Sequence, residues 1–170
     1  MKKNFILTYL VAVLGIFSSF NALSYDGTIR FRGTILENGC TISSGSKGVQ
    51  EVNFGKIPKE RFKNTTGTIV ASQLFRIDLT NCPGSDIDIQ FFGTPNSDDR
   101  NLYSSNVSGV GIQLTKDDNT TKINANTKIS GYAITKGRAS IPLIAKLQST
   151  NTTIGDGDIS SDVNFTLIYP

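Results

Sequence analysis

Apolar and polar residues alternate over several short stretches of this chain. In residues 28–36, Ile29, Phe31, Gly33 and Ile35 share one face while Thr28, Arg30, Arg32 and Thr34 share the other, the period of a half-buried strand. Near the C-terminus, Val163, Phe165, Leu167 and Tyr169 alternate with Asn164, Thr166 and Ile168, which predicts a strand over 162–169. Between these two, the same period predicts strands at 73–80 (Phe75, Ile77, Leu79 on one face), 86–92 (Ile87, Ile89, Phe91), 110–115 (Ile112, Leu114) and 139–148 (Ile141, Leu143, Ala145, Leu147). Shorter strands are expected at 40–43 and 49–54, and the apolar faces together make the expected core.

The connections, such as 93–99, 117–121 and 149–158, are rich in Gly, Asn, Ser and Asp and read as loops. Residues 58–62 predict one turn of helix, because Pro58 suits a first helical position. Pro142 lies inside an apparent strand, which predicts an edge position or a bulge. Short strands at this spacing give an all-β sandwich. The strands at 28–36 and 162–169 each present an edge, so the partner of each can lie in another molecule. The alternative is that 28–36 forms the first strand of a complete, self-contained sandwich.

Composition changes the picture at the N-terminus. Lys2 and Lys3 precede an uncharged apolar run over 5–20, and Ala22 and Ser24 occupy the positions a signal peptidase reads. Residues 1–24 are therefore expected to be a signal peptide, cut before Tyr25; a membrane anchor is the alternative, but the run is shorter than the ~20 apolar residues a spanning helix needs. Removing 24 of the 170 residues leaves 146, one domain with a sizeable core. Two lysines leave with the leader, so the net charge falls from +3 to +1. Without a Lys/Arg cluster, nothing resembles the basic footprint of a nucleic-acid binder. The two cysteines, Cys40 and Cys82, are expected to form a disulfide in an oxidising compartment.

Catalytic chemistry finds little to work with. The chain has no histidine, and its two cysteines are spoken for. Carboxylates come in pairs at Asp86/Asp88, Asp98/Asp99 and Asp117/Asp118, but the last two pairs lie in turn-forming loops and the first on the polar face of a strand. Asp156-Gly157-Asp158 lacks the further acidic ligands and the closing Glu of a calcium loop and reads as a turn. Five Asn-x-Ser/Thr sequons, at Asn64, Asn106, Asn119, Asn151 and Asn164, receive no role. No catalytic, metal or cofactor site and no small-molecule substrate is expected.

The run from Gly27 through Gly33 to Gly39-Cys40-Thr-Ile42, the Asn81-Cys82-Pro83 triplet, Gly157 and the terminal run from Asn164 to Tyr169 resemble the pilin subunits of chaperone-usher fimbriae, those of the type 1 group in particular. The resemblance covers essentially the whole mature chain. It implies an immunoglobulin-like sandwich lacking its last strand, with a hydrophobic groove open beside the C-terminal strand. It divides the mature chain into an N-terminal donor-strand extension, 25–38, and a pilin domain, 39–170. A periplasmic fimbrial chaperone would first pair with the strand carrying Val163, Phe165, Leu167 and Tyr169. At the outer-membrane usher the extension of the neighbouring pilin subunit would replace it, each extension offering the counterparts of Ile29, Phe31, Gly33 and Ile35. The function implied is that of a structural subunit of a surface fimbrium supporting adhesion, exported through the periplasm and without enzyme activity. Only fifteen residues separate Tyr25 from Cys40, which resembles minor or adaptor subunits more than shaft pilins. The rival function is a tip adhesin or secreted glycan-binding lectin.

Overall fold

A computed structural model describes residues 39–46 and 48–170. The strand expected at 28–36 and the leader lie outside the described residues. Among the described residues, nine strands run in the order β1 (Thr41–Ile42), β2 (Ile69–Thr80), β3 (Asp86–Gly93), β4 (Tyr103–Ser104), β5 (Val110–Lys116), β6 (Lys122–Ile123), β7 (Lys128–Ala133), β8 (Ala139–Ser149) and β9 (Val163–Ile168). One sheet has the order β1-β2-β8-β5-β4, with β6 added onto β5; the other has the order β7-β3-β9. Every pairing is antiparallel.

Period-2 burial explains this arrangement. Ile77, Leu79, Ile87, Ile89, Phe91, Ile112, Leu114, Ile141, Leu143, Ala145 and Leu147 are all buried in one cluster between the sheets, as the alternation predicts. Phe75, expected among them, is only partly buried. β8 sits at the centre, with Phe75 opposite Leu143 on the β2 side and Leu147 opposite Ile112 on the β5 side.

Four details differ from the sequence expectation, each for a physical reason. Residues 49–54 form no strand: Val49 makes a single bridge to Ser46, and residues 50–58 run without a ladder partner among the described residues. Pro142 occupies a central strand rather than an edge, and the one register shift of the β2–β8 ladder lies elsewhere, between Ile69 and Ala71. It is tolerated because the β5 ladder stops one residue earlier, at Lys116 opposite Leu143. β4 and β6 are too short for any period to show. β7 loses its alternation to a register shift opposite Ile87 and Ile89, at a turn of chain where Gly131 has φ +85°. The predicted helical turn is present as a 3-10 helix, Lys59–Phe62, which drops Phe62 into the core.

Candidate functional site

β9 is an edge strand of the three-stranded sheet. One edge is fully laddered to β3, from Asp88 opposite Ile168 to Gly93 opposite Val163. The other edge pairs with no strand among the described residues. Val163, Phe165, Leu167 and Tyr169 turn toward the core yet remain only half-buried, while Asn164 and Thr166 face outward. The sequence-predicted face is therefore present, and it is uncovered along one side.

Beside that edge runs a groove of about 1540 Å³. One wall comes from β9 and the segment leading into it, 154–165; the other comes from 48–57, with Val52, Phe54 and Ile57 packed against the core. The floor is the core itself: Phe75 and Ile77 of β2, Ile112 and Leu114 of β5, Ala145 and Leu147 of β8, and Phe91 of β3. This accounts for the partial burial of Phe75, which the groove reaches. Phe91 and Phe165 meet across the β3–β9 ladder with ring centroids 6.3 Å apart and planes tilted by 59°. The side-chain oxygen of Gln50, in the groove lining, is buried without a hydrogen-bond partner among the described residues.

Beyond the groove, at the C-terminal end of β9, the Tyr169 hydroxyl accepts a 2.6 Å hydrogen bond from the Cys40 backbone N–H. Gly39 makes room for it, since a Cβ there would stand 2.9 Å from the hydroxyl. Cys40 is bonded to Cys82, so the disulfide, the end of β9 and the entry into the domain meet at one place. The groove lining also carries Asp156, Asp158 and Asp162, together with Lys56 and Lys59. Lys59 and Asp156 approach to 3.3 Å across the groove mouth, but their side chains are 48% and 89% exposed, so the pair contributes little to stability. Gly157, with φ +150°, takes a backbone conformation that suits glycine.

None of the carboxylate pairs forms a reacting centre. Asp88 accepts from Lys128 Nζ at 2.7 Å and from the Gly131 N–H at 3.1 Å, and the Lys128 bond above all holds its carboxyl below the usual range. Asp118 closes the β5–β6 turn by accepting from the N–H groups of Thr120 and Thr121 and the Thr121 hydroxyl, which lowers its pKa as well. Asp99 accepts from Asn101, Asp98 from Thr150, and Asp86 from Ser85. Burial pushes the phenols of Tyr103 and Tyr132 up; Tyr103 meanwhile accepts from the Asn126 N–H. Among the described residues no cluster of three or more His, Cys, Asp or Glu is arranged to hold a metal ion.

Residues 29–170 match the family model described as fimbrial protein. The chain belongs to the fimbrial protein family. Long polar fimbria protein A of Salmonella typhimurium is 33% identical over 178 residues, covering 99% of this chain and 97% of that protein. A type I fimbria protein of Burkholderia pseudomallei superposes with a TM-score of 0.59 at 27% identity, over 84% of this chain and 97% of that one. A subunit from a chaperone-usher pilus solved for its rod uncoiling gives a TM-score of 0.63 at 20% identity, over 86% and 96% of the two chains, a likeness of fold. The fold is thus the immunoglobulin-like sandwich of pilins, and the chain is a structural, non-enzymatic fimbrial subunit. Of the alternating C-terminal face, Val163 and Phe165 line the groove. The sequence reads 49–54 as a strand and Asp156-Gly157-Asp158 as a turn, and neither reading places them or Gln50 beside β9.

Proposed function

We propose that this subunit is built into its fibre by donor-strand exchange, with the groove beside β9 as the acceptor. The observation that carries the proposal is a 1540 Å³ groove floored by core residues, beside a strand laddered on one edge only. A strand laid along β9 satisfies its free N–H and C=O groups, covers Val163, Phe165 and Leu167, and offers a donor to the Gln50 oxygen, which has no partner among the described residues. β-strand addition of this kind draws affinity from the main chain and specificity from alternate side chains.

In sequence, residues 1–24 are removed on export, a periplasmic chaperone lends the first strand, and at the outer-membrane usher a neighbouring subunit's extension replaces it. This chain's own extension, 25–38, offers Ile29, Phe31, Gly33 and Ile35 to another subunit's groove. Burying Ile29, Phe31 and Ile35 contributes roughly 5–8 kcal/mol, while ordering nine backbone residues costs about 9–18. Ladder bonds and the closing of the acceptor's core supply the rest. The short extension supports a minor or adaptor position.

Deleting residues 26–35 tests the assignment. The shortened subunit should still bind its chaperone, form the Cys40–Cys82 bond and accept a synthetic donor peptide, yet fail to add onto another subunit. Loss of chaperone binding would make 28–36 an intrinsic first strand and overturn the proposal. Tyr169→Ala should separately weaken chaperone capture. Carbohydrate binding by the isolated subunit would favour the adhesin or lectin reading instead.

A further inference from the structure

We propose that the charge along the groove selects a strand carrying cations on its outward face, and that the occupant it fits is residues 28–36 of a second copy of this chain. The inference rests on the reading of the groove as a strand acceptor and adds which strand it prefers.

The lining holds four carboxylates, Glu51, Asp156, Asp158 and Asp162, against two ammonium groups, Lys56 and Lys59, for a net charge of −2. Lys59 and Asp156 neutralise each other, and Asp158 and Asp162 form no ion pair or side-chain hydrogen bond among the described residues. Asp162 continues the outward alternation of Asn164 and Thr166 at the start of β9. A strand laid along that edge brings its own outward side chains beside these positions, with Cβ atoms ~4.5–5.5 Å apart for direct neighbours and ~7–8 Å for diagonal ones.

Residues 28–36 supply the complement. When Ile29, Phe31, Gly33 and Ile35 face the groove, Arg30 and Arg32 face outward, and the segment contains no acid, for a net charge of +2. The two signs match in magnitude, and Asp162 shares the outward surface with the two arginines once the strand lies along β9. Rim charges of this kind act mainly on encounter rate and partner choice. Self-recognition is compatible with a minor position, since a subunit of low copy number can still follow itself in a short run.

The test follows uptake of fluorescent peptides of residues 28–36 by the full mature subunit held in its chaperone complex. The wild-type peptide should enter about tenfold faster than its Arg30→Glu/Arg32→Glu form at about 0.01 M salt, where the screening length is ~30 Å. At about 1 M salt, with a screening length of ~3 Å, the gap should close to about twofold or less. In a subunit carrying Asp158→Lys and Asp162→Lys the preference should reverse. Equal low-salt rates for the two peptides would overturn charge selection while leaving the strand-acceptor reading intact. An Arg30→Gln/Arg32→Gln peptide entering as fast as wild type would assign the groove to an uncharged strand of another subunit and likewise overturn it. If no peptide enters, the strand-acceptor reading fails and this inference falls with it.

Discussion

A single methyl group at Gly39 should expose the latch between the two ends of the domain. An alanine Cβ there would lie 2.9 Å from the Tyr169 hydroxyl oxygen and 3.5 Å from the ring carbon that bears it. That oxygen accepts the 2.6 Å bond from the Cys40 N–H, so Gly39→Ala cannot keep both the methyl group and the hydrogen bond. Displacing the tyrosine leaves a part-buried N–H without its partner, a loss of about 1–3 kcal/mol. Tyr169→Phe forfeits the same bond and should cost about 1–2 kcal/mol. In the phenylalanine background the nearest atom is the ring carbon at 3.5 Å, an ordinary contact. Alanine there should add no more than about 0.5 kcal/mol. The double variant should thus match Tyr169→Phe, with a coupling of about 1 kcal/mol or more. Urea unfolding of the four oxidised mature chains, followed by circular dichroism, reads the cycle; thermal midpoints should fall about 3–5 °C per kcal/mol. Effects that add to within about 0.5 kcal/mol would show that Gly39 and Tyr169 do not touch, and the latch would be refuted.

Three further outcomes follow from the structure. Because Asp88 has a lowered folded-state pKa, its contribution is present above the ordinary carboxylate range and is lost as pH falls through the folded value. Asp88→Asn should therefore flatten the acid limb of stability below about pH 4, read as urea midpoints against pH, and an unchanged limb would remove the Lys128 pair as its cause. Leu143→Ala, at a fully buried position of the central strand, should cost about 2–5 kcal/mol in the same unfolding assay. Intact-mass analysis of the exported chain should return a polypeptide beginning at Tyr25 and two hydrogens lighter than its reduced form; a mass retaining residues 1–24 would contradict cleavage, and two free thiols the disulfide.

The parts of the fold legible in the sequence are those where one face is buried and the other is not. Ile87, Ile89 and Phe91 announce β3, and Ile141 to Leu147 announce β8, because a slip of one residue would turn every apolar side chain outward. β7 was illegible because Gly131 and the register shift opposite Ile87 and Ile89 destroy the period. Residues 49–54 carried a strand-like pattern, yet a strand exists only with a ladder partner, and their flank is the groove. The same limit applies to the site. Val163, Phe165, Leu167 and Tyr169 were readable as a face. Their wall of 48–57, more than a hundred residues earlier, is joined to them only by the fold, and so is the meeting of Tyr169 with Cys40.

The open edge of β9 lies beside a closed centre, and that contrast suits an acceptor. β8 is laddered to β2 over nearly its full length and to β5 over half of it, and Ile141, Leu143 and Leu147 have no exposure at all. β9 has one ladder and half-buried side chains, so local opening should begin there, at far lower free energy than global unfolding. A strand that binds only the closed arrangement stabilises it by mass action, in proportion to the logarithm of its concentration over its dissociation constant. A strand tethered to an adjoining subunit is present at an effective concentration in the millimolar range or above, whatever the bulk concentration. On the strand-exchange proposal, the weakness of the β9 edge and the persistence of the assembled fibre then have one cause: the same half-built sheet that is marginal in the free subunit is saturated once a neighbour's extension is held beside it.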